Sequence, residues 1–165
     1  MVMAEANEKQ LDQEVRDMFR EFDTDGYLPV DHQAITFDEL FTDRLTMTTV
    51  VQNGIPYRLF EKIQRVSPFN EQDWATFLEL STKTLNRYKM ENRYFKTLHS
   101  EKIMELAEVA KEGVAVFGDI ERFKQWLLTP NFALGNRKPQ ELLKDSYGQD
   151  LVMAELTHIE HGIFV

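Results

Sequence analysis

Hydrophobic side chains recur along this chain at the spacing of helix faces, and no segment sustains the alternation of a strand. Leu11, Val15, Met18, Phe19 and Phe22 stand at i, i+4, i+7, i+8 and i+11, the single apolar stripe of an amphipathic helix. The stretch 23–29, DTDGYLP, stops it with the Asp, Gly and Pro chemistry of a turn. Residues 30–53 are harder to read. The segment 37–41 suits a short helix, and the uncharged, β-branched 46–54 suits either an extended segment or the start of a helix. From Pro56, a residue suited to a first helical turn, Leu59, Phe60, Ile63 and Val66 form one face. Asn70 predicts an N-cap, with Glu71 and Asp73 favourable to the dipole and Trp74, Phe77 and Leu78 apolar behind it. Ser81 is placed to cap a second short helix over 82–90.

Further along, Ser100 predicts the cap of a longer helix with the stripe Ile103, Leu106, Ala107, Ala110, Val114 and Phe117, closed by Gly118. Asp119 predicts the next cap, with Phe123, Trp126 and Leu127 inward, and Thr129-Pro130 ends that helix. Pro139 opens a short helix carrying Leu142 and Leu143. Ser146 opens the last, with Val152, Leu156 and Ile159 on one face and Gly162 past its end. The fold class expected is all-α.

Length and composition add bounds. A chain of 165 residues, 42% hydrophobic and 28% charged, has the balance of a soluble globular protein with a real core, as one large domain or two small ones. Without cysteine there is neither a disulfide nor a thiolate metal site, and a reducing compartment is the default. No apolar run has the length of a membrane span, and the acidic start lacks a basic signal-peptide region, so the expected location is cytoplasmic. The net charge of −9 is uneven: residues 1–45 carry −8, residues 46–99 carry +3 and residues 100–165 carry −4. Only the middle block attracts phosphates.

That block contains a helix-turn-helix pattern over 70–90. With Ala75 at the small contact position, the turn falls at Glu79 and apolar Leu85 sits where the second helix crosses the first. Thr82, Lys83, Thr84, Asn86, Arg87 and Lys89 then face outward as candidate DNA-binding residues, donors for phosphates and base edges. The alternative is a helical hairpin with a solvated polar face. Paired half-sites would make the protein a homodimer.

Other constellations are poor. Aligning 21–32 with a calcium loop places Glu21, Asp23, Asp25 and Gly26 suitably, but His32 stands where a bidentate Glu is needed and Pro29 interrupts the ligand set. Glu155 and His158 are half of a di-iron motif with no second half, and His161 nearby suits a helix C-terminus. Phosphate-binding, dinucleotide and nucleophile-elbow patterns are missing, so no catalytic residue, cofactor or metal is expected and the chain reads as a non-enzyme. Ile163, Phe164 and Val165 follow a helix-ending glycine and either fold back onto the core or insert into a partner.

The order of residues over 112–164 resembles the Xre/MbcA/ParS antitoxins in their toxin-binding domain. The motifs that carry it are Phe117-Gly118, Trp126-Leu127, Pro130-Asn131, Leu134-Gly135, Pro139, Leu142-Leu143, Gly148 and His161-Gly162. Upstream, NGIPYRLFEKI (53–63) and LSTKTLNRYK (80–89) are similar to that family's DNA-binding half, whereas 1–45 matches nothing familiar. Glu105 and Glu108 stand where many relatives carry Arg, a departure on the DNA-binding side.

The charge pattern sets off an acidic N-terminal extension (1–45), and the resemblance implies an Xre-like helix-turn-helix half (46–99) and a compact helical toxin-binding domain (100–165). It implies an antitoxin of a type II pair that silences a RES-domain toxin, an NAD-consuming or ADP-ribosylating enzyme, by occluding its active site. Such an antitoxin also regulates its own operon by binding promoter DNA. Toxin binding would fall on Trp126, Pro130, Asn131, Leu134, Gly135, His161, Gly162, Ile163, Phe164 and Val165. The alternatives are a helix-turn-helix regulator whose C-terminal domain senses a ligand or protein, and a helical adaptor with neither activity.

Overall fold

The structure is a computed structural model that describes residues 2–23 and 31–163. Among the described residues every extended element is helical, so the all-α expectation holds. The described residues hold nine α-helices and two short 3-10 helices, and the only strand-like pairings among them are the isolated bridges Pro56–Tyr94 and Asn131–Arg137. The helices are α1 (Val2–Phe22), α2 (Arg44–Asn53), α3 (Tyr57–Val66), α4 (Glu71–Phe77), α5 (Thr82–Glu91), α6 (Thr97–Phe117), α7 (Ile120–Leu127), α8 (Pro139–Leu142) and α9 (Ser146–Glu160). They form two compact units that interleave in sequence, Met1–Val66 with Thr82–Met104, and Ser67–Ser81 with Glu105–Val165.

In the first unit the predicted stripe of α1 faces inward, with Phe22 half-buried at its end. Leu11, Val15, Met18 and Phe19 are buried and the helix packs against α3. Burying each such side chain contributes about 1.5–3 kcal/mol, which makes this acidic helix part of the core. Arg58 of α3 fixes its azimuth, since Nε donates to Glu14 (2.9 Å) and Nη2 to Glu21 (2.6 Å). Glu21 also accepts from the Tyr94 hydroxyl. The turn expected at 23–29 lies, from residue 24 onward, outside the described residues.

The ambiguous stretch 46–54 is helical up to Asn53. Asp43 caps α2 by accepting from the backbone N–H groups of Leu45 and Thr46, and also from the Thr46 hydroxyl. The hydroxyls of Thr48 and Thr49 turn back onto the carbonyls of Arg44 and Leu45, which satisfies them inside a helix their β-branching disfavours. Gly54, at φ +90°, then lets the backbone press against the Phe95 carbonyl, where any Cβ would collide. Phe95 N–H donates to Ile55 O (2.8 Å) and Tyr57 N–H to Arg93 O (2.9 Å), clamping 55–57 to 93–95. Pro56 therefore precedes α3; its carbonyl accepts the first bonds of that helix.

One cap assignment fails here. Ser100 is not the cap of α6, which begins at Thr97; it lies in the first turn, completely buried. Its hydroxyl accepts from Ile55 N–H (2.9 Å) and donates to Phe95 O (3.2 Å). A buried backbone donor far away in sequence claims it, and meeting that donor outweighs capping.

In the second unit Asn70 caps α4 as expected, within a full capping box: Asn70 Oδ1 accepts from Asp73 N–H (2.8 Å) and Asp73 Oδ2 from Asn70 N–H (2.9 Å). Phe69, Trp74 and Phe77 pack edge to face behind it. Asp119 caps α7, and Pro139 stands at the start of α8. α9 opens at Ser146 as expected, and Asp145 before it is the cap, its carboxylate accepting from Gly148 N–H (2.9 Å). Of two adjacent capping residues, the one that presents an anion to the helix N-terminus takes the position.

Candidate partner-binding surface

The C-terminal unit is assembled from close backbone approaches. Gly113 of α6 leaves room for the Phe123 ring, where a Cβ would overlap the ring carbons. Phe123 is fully buried and clusters with Phe117 (centroids 5.9 Å) and Trp126 (6.0 Å), which also contact each other (5.6 Å). Trp126, expected to shape a toxin-binding surface, is thus half-buried and committed on one side to this cluster. Gly148 of α9 lies against the backbone of Leu142 at the end of α8.

Between α7 and α8 the chain makes a closed turn centred on Asn131. The Asn131 side chain accepts from Ala133 N–H (2.9 Å) and donates weakly to Glu155 of α9 (3.4 Å). Its backbone N–H donates to Arg137 O (3.0 Å), and its carbonyl accepts from Leu134 and Asn136. Leu134 plugs the turn from inside, and Gly135 (φ +69°) and Asn136 (φ +59°) take the left-handed conformation in succession. Asn131, Leu134 and Gly135 are therefore the frame of the turn, while Pro130 is exposed.

At the far end, α9 stops in a Schellman motif. Gly162, at φ +65°, donates to Ile159 O, and Ile163 N–H to His158 O (2.8 Å). His161 Nδ1 is 2.8 Å from Thr157 O. These bonds fix the direction in which the chain leaves the helix, and His161, Gly162 and Ile163 are exposed. Phe164 and Val165 lie outside the described residues.

The frame displays side chains that the motif pattern passes over. Phe132 sits at the tip of the Asn131 turn and is 84% exposed; Tyr147 (84%) and Leu151 (54%) stand one turn apart on α9, opposite buried Val152 and Leu156. In sequence Phe132 is a variable letter inside Pro-Asn-x-x-Leu-Gly, and Tyr147 and Leu151 lie off the apolar stripe. Only the i, i+4 spacing of the latter pair on an otherwise polar face could have found them.

The candidate DNA-binding residues all lie on α5. The turn before it is a Schellman motif with Glu79 in the position glycine usually takes (φ +52°): Leu80 N–H donates to Ala75 O and Glu79 N–H to Thr76 O. The sequence's missing glycine is thus replaced by a strained glutamate. Thr82, Lys83, Asn86 and Arg87 are exposed, Thr84 is half-buried, and Leu85 and Tyr88 face inward. Lys89 is exposed but engaged, its ammonium 3.0 Å from Glu61 of α3. That hydrogen bond raises the Lys89 pKa and lowers that of Glu61.

Glu155 and His158 are 3.4 Å apart on α9. In the calcium-like stretch, His32 lies 3.1 Å from the Asp23 carboxylate, while Asp25, Gly26 and Pro29 lie outside the described residues. Among the described residues no group of three or more His, Asp or Glu is placed to hold a metal ion, and no helix is long and apolar enough to cross a membrane.

Comparison with known proteins bears on this same unit. Residues 112–162 match the family model of the antitoxin Xre/MbcA/ParS C-terminal toxin-binding domain. An antitoxin Xre from Photorhabdus laumondii is 27% identical over 118 residues, 71% of this chain and 80% of the relative. One from Yersinia enterocolitica is 30% identical over 86 residues, 52% of this chain and 58% of the relative. A chain in the crystal structure of the M. tuberculosis MbcT–MbcA toxin–antitoxin complex shares the fold with a TM-score of 0.52 at 22% identity, over 64% of this chain and 94% of the other. Residues 112–162 are thus similar to the C-terminal toxin-binding domain of the Xre/MbcA/ParS antitoxins.

Proposed function

We propose that this protein is an antitoxin of a type II toxin–antitoxin pair. Its C-terminal domain binds a RES-domain toxin, an NAD-consuming or ADP-ribosylating enzyme, and blocks the active site by occlusion, with no chemistry of its own. The observation that carries this reading is the family match over 112–162, whose motif residues are those that close the Asn131 turn, the Gly148 approach and the Gly162 helix end. The Schellman turn ends α9 and leaves Ile163 exposed, which suits a tail that enters a partner's site. Deleting residues 162–165 tests the tail. Inhibition of the toxin should fall steeply while the domain stays folded; unchanged inhibition removes the tail from the mechanism.

A second role rests on a separate observation, the exposed donors of α5. Thr82, Lys83, Thr84, Asn86, Arg87 and Lys89 are proposed to read the operon's own promoter, with residues 46–99 as the DNA-binding half of a cytoplasmic homodimer. Arg87 and Lys83 carry most of the charge available to phosphate, since Lys89 is engaged by Glu61. Affinity should drop steeply with rising salt, and Arg87→Ala should weaken specific binding by at least tenfold. Specific promoter binding untouched by Arg87→Ala would remove α5 from DNA recognition.

A further inference from the structure

Three large hydrophobic side chains stand in water on rigid supports in the C-terminal unit. Phe132 sits in a turn whose neighbours are fixed by the Asn131 bonds, the buried Leu134 and the left-handed Gly135 and Asn136. Tyr147 and Leu151 are carried by α9, whose start is capped by Asp145 and whose opposite face is buried. The Asn131–Glu155 hydrogen bond ties the turn to α9 one helical turn past Leu151, so turn and helix form one continuous support for the three side chains. A preorganised aromatic pair with an aliphatic neighbour is the composition of an interface hot spot, because little entropy is lost when it docks.

Charge identifies what docks. The helix α9 carries Asp150, Glu155 and Glu160 and no Lys or Arg, and Asp145 stands at its start. A second copy of this face would bring those carboxylates together with nothing on the helix to neutralise them. A protein with an apolar recess rimmed by Lys or Arg meets both the centre and the border.

We propose that Phe132, Tyr147 and Leu151 are the anchor by which the C-terminal unit grips its toxin, and that the toxin offers an apolar recess with a basic rim. This rests on the antitoxin reading and adds to it a division of labour. The family motif residues hold the scaffold, the tail reaches the active site, and these three side chains supply the affinity. Asp150 and its neighbours speed encounter by attracting the basic rim.

The test uses the full chain and the RES-domain enzyme of its own operon, with binding measured by surface titration. Tyr147→Ala/Leu151→Ala and Phe132→Ala are surface truncations, and each should keep the wild-type unfolding midpoint. The double variant should bind at least a hundredfold more weakly and Phe132→Ala at least tenfold. Asp150→Lys should slow association several-fold at low salt with little change in dissociation. If wild type binds and the double variant binds within threefold of it, the anchor is wrong while the antitoxin reading stands. If wild type itself does not bind, the antitoxin reading falls and takes the anchor with it. If sedimentation shows a wild-type dimer that the double variant breaks apart, the face pairs copies of this chain and the proposal is overturned.

Discussion

Gly148 is where the architecture of the C-terminal unit is most exposed to a single atom. A Cβ built there would lie 2.8 Å from the Leu142 carbonyl carbon and 3.1 Å from its Cα, and would overlap the carbonyl oxygen outright. Ordinary van der Waals contact begins at 3.4 Å, so the carbon alone must retreat by 0.6 Å, and the oxygen by more. The obstacle is backbone, so no rotamer change relieves it and α8 must separate from α9. Overpacking of this kind costs about 3 kcal/mol or more, offset by about 0.5–1 kcal/mol from replacing glycine in a helix. The net expectation for Gly148→Ala is destabilisation of about 2 kcal/mol or more.

Both tryptophans, Trp74 and Trp126, belong to this unit, so intrinsic fluorescence during urea denaturation reports its unfolding directly. With a slope of about 2 kcal/mol per M, the midpoint should fall by about 1 M. Gly118→Ala is the internal comparison. It has open space around the new atom but a φ of +70°, so it carries backbone strain of about 1–2 kcal/mol and no clash. A Gly148→Ala midpoint equal to wild type would refute the close approach of α8 and α9.

Other outcomes follow from the same reasoning. Asn131→Ala removes the cap of the 3-10 turn and the bond to Glu155; it should cost about 1 kcal/mol by the same fluorescence assay and loosen the display of Phe132. Ser100→Ala leaves the buried Ile55 N–H without its acceptor, at about 1–3 kcal/mol, and should appear as faster hydrogen exchange at the Ile55 amide. The Thr46 hydroxyl and the Leu45 N–H hold the Asp43 carboxyl below the usual carboxylate range. Its folded-state pKa is depressed, so the stabilisation is present above the unfolded-state value and is lost as pH falls through the folded one. Backbone NMR shifts of α2 should therefore reveal fraying as pH falls below the ordinary carboxylate range of about 4, and Asp43→Asn should abolish that titration.

Much of this fold is legible in the sequence because its information is local. Asn70 and Asp119 cap the helices their spacing predicts, and the apolar stripes of α1, α3 and α7 become the faces they bury. What is not legible depends on distant partners. Ser100 has the look of a cap, but the donor it serves, Ile55 N–H, is brought to it only by the pairing of 55–57 with 93–95. The helicity of 46–53 depends on Asp43 and on threonine hydroxyls bonding within the helix, and β-branched composition hides both. The candidate surface divides in the same way. Motif positions such as Asn131 and Gly135 are conspicuous because backbone geometry demands those residue types. Phe132, Tyr147 and Leu151 are silent because exposure is a property of the folded chain, and a search for core stripes discards them.

The most direct measurement is NAD turnover by a purified RES-domain enzyme, the proposed partner, as this protein is titrated in. Toxin silencing by residues 112–162 requires turnover to fall to background near one domain per active site, with the Arg87→Ala variant inhibiting as well as wild type. Turnover undiminished at saturating protein would contradict the antitoxin reading.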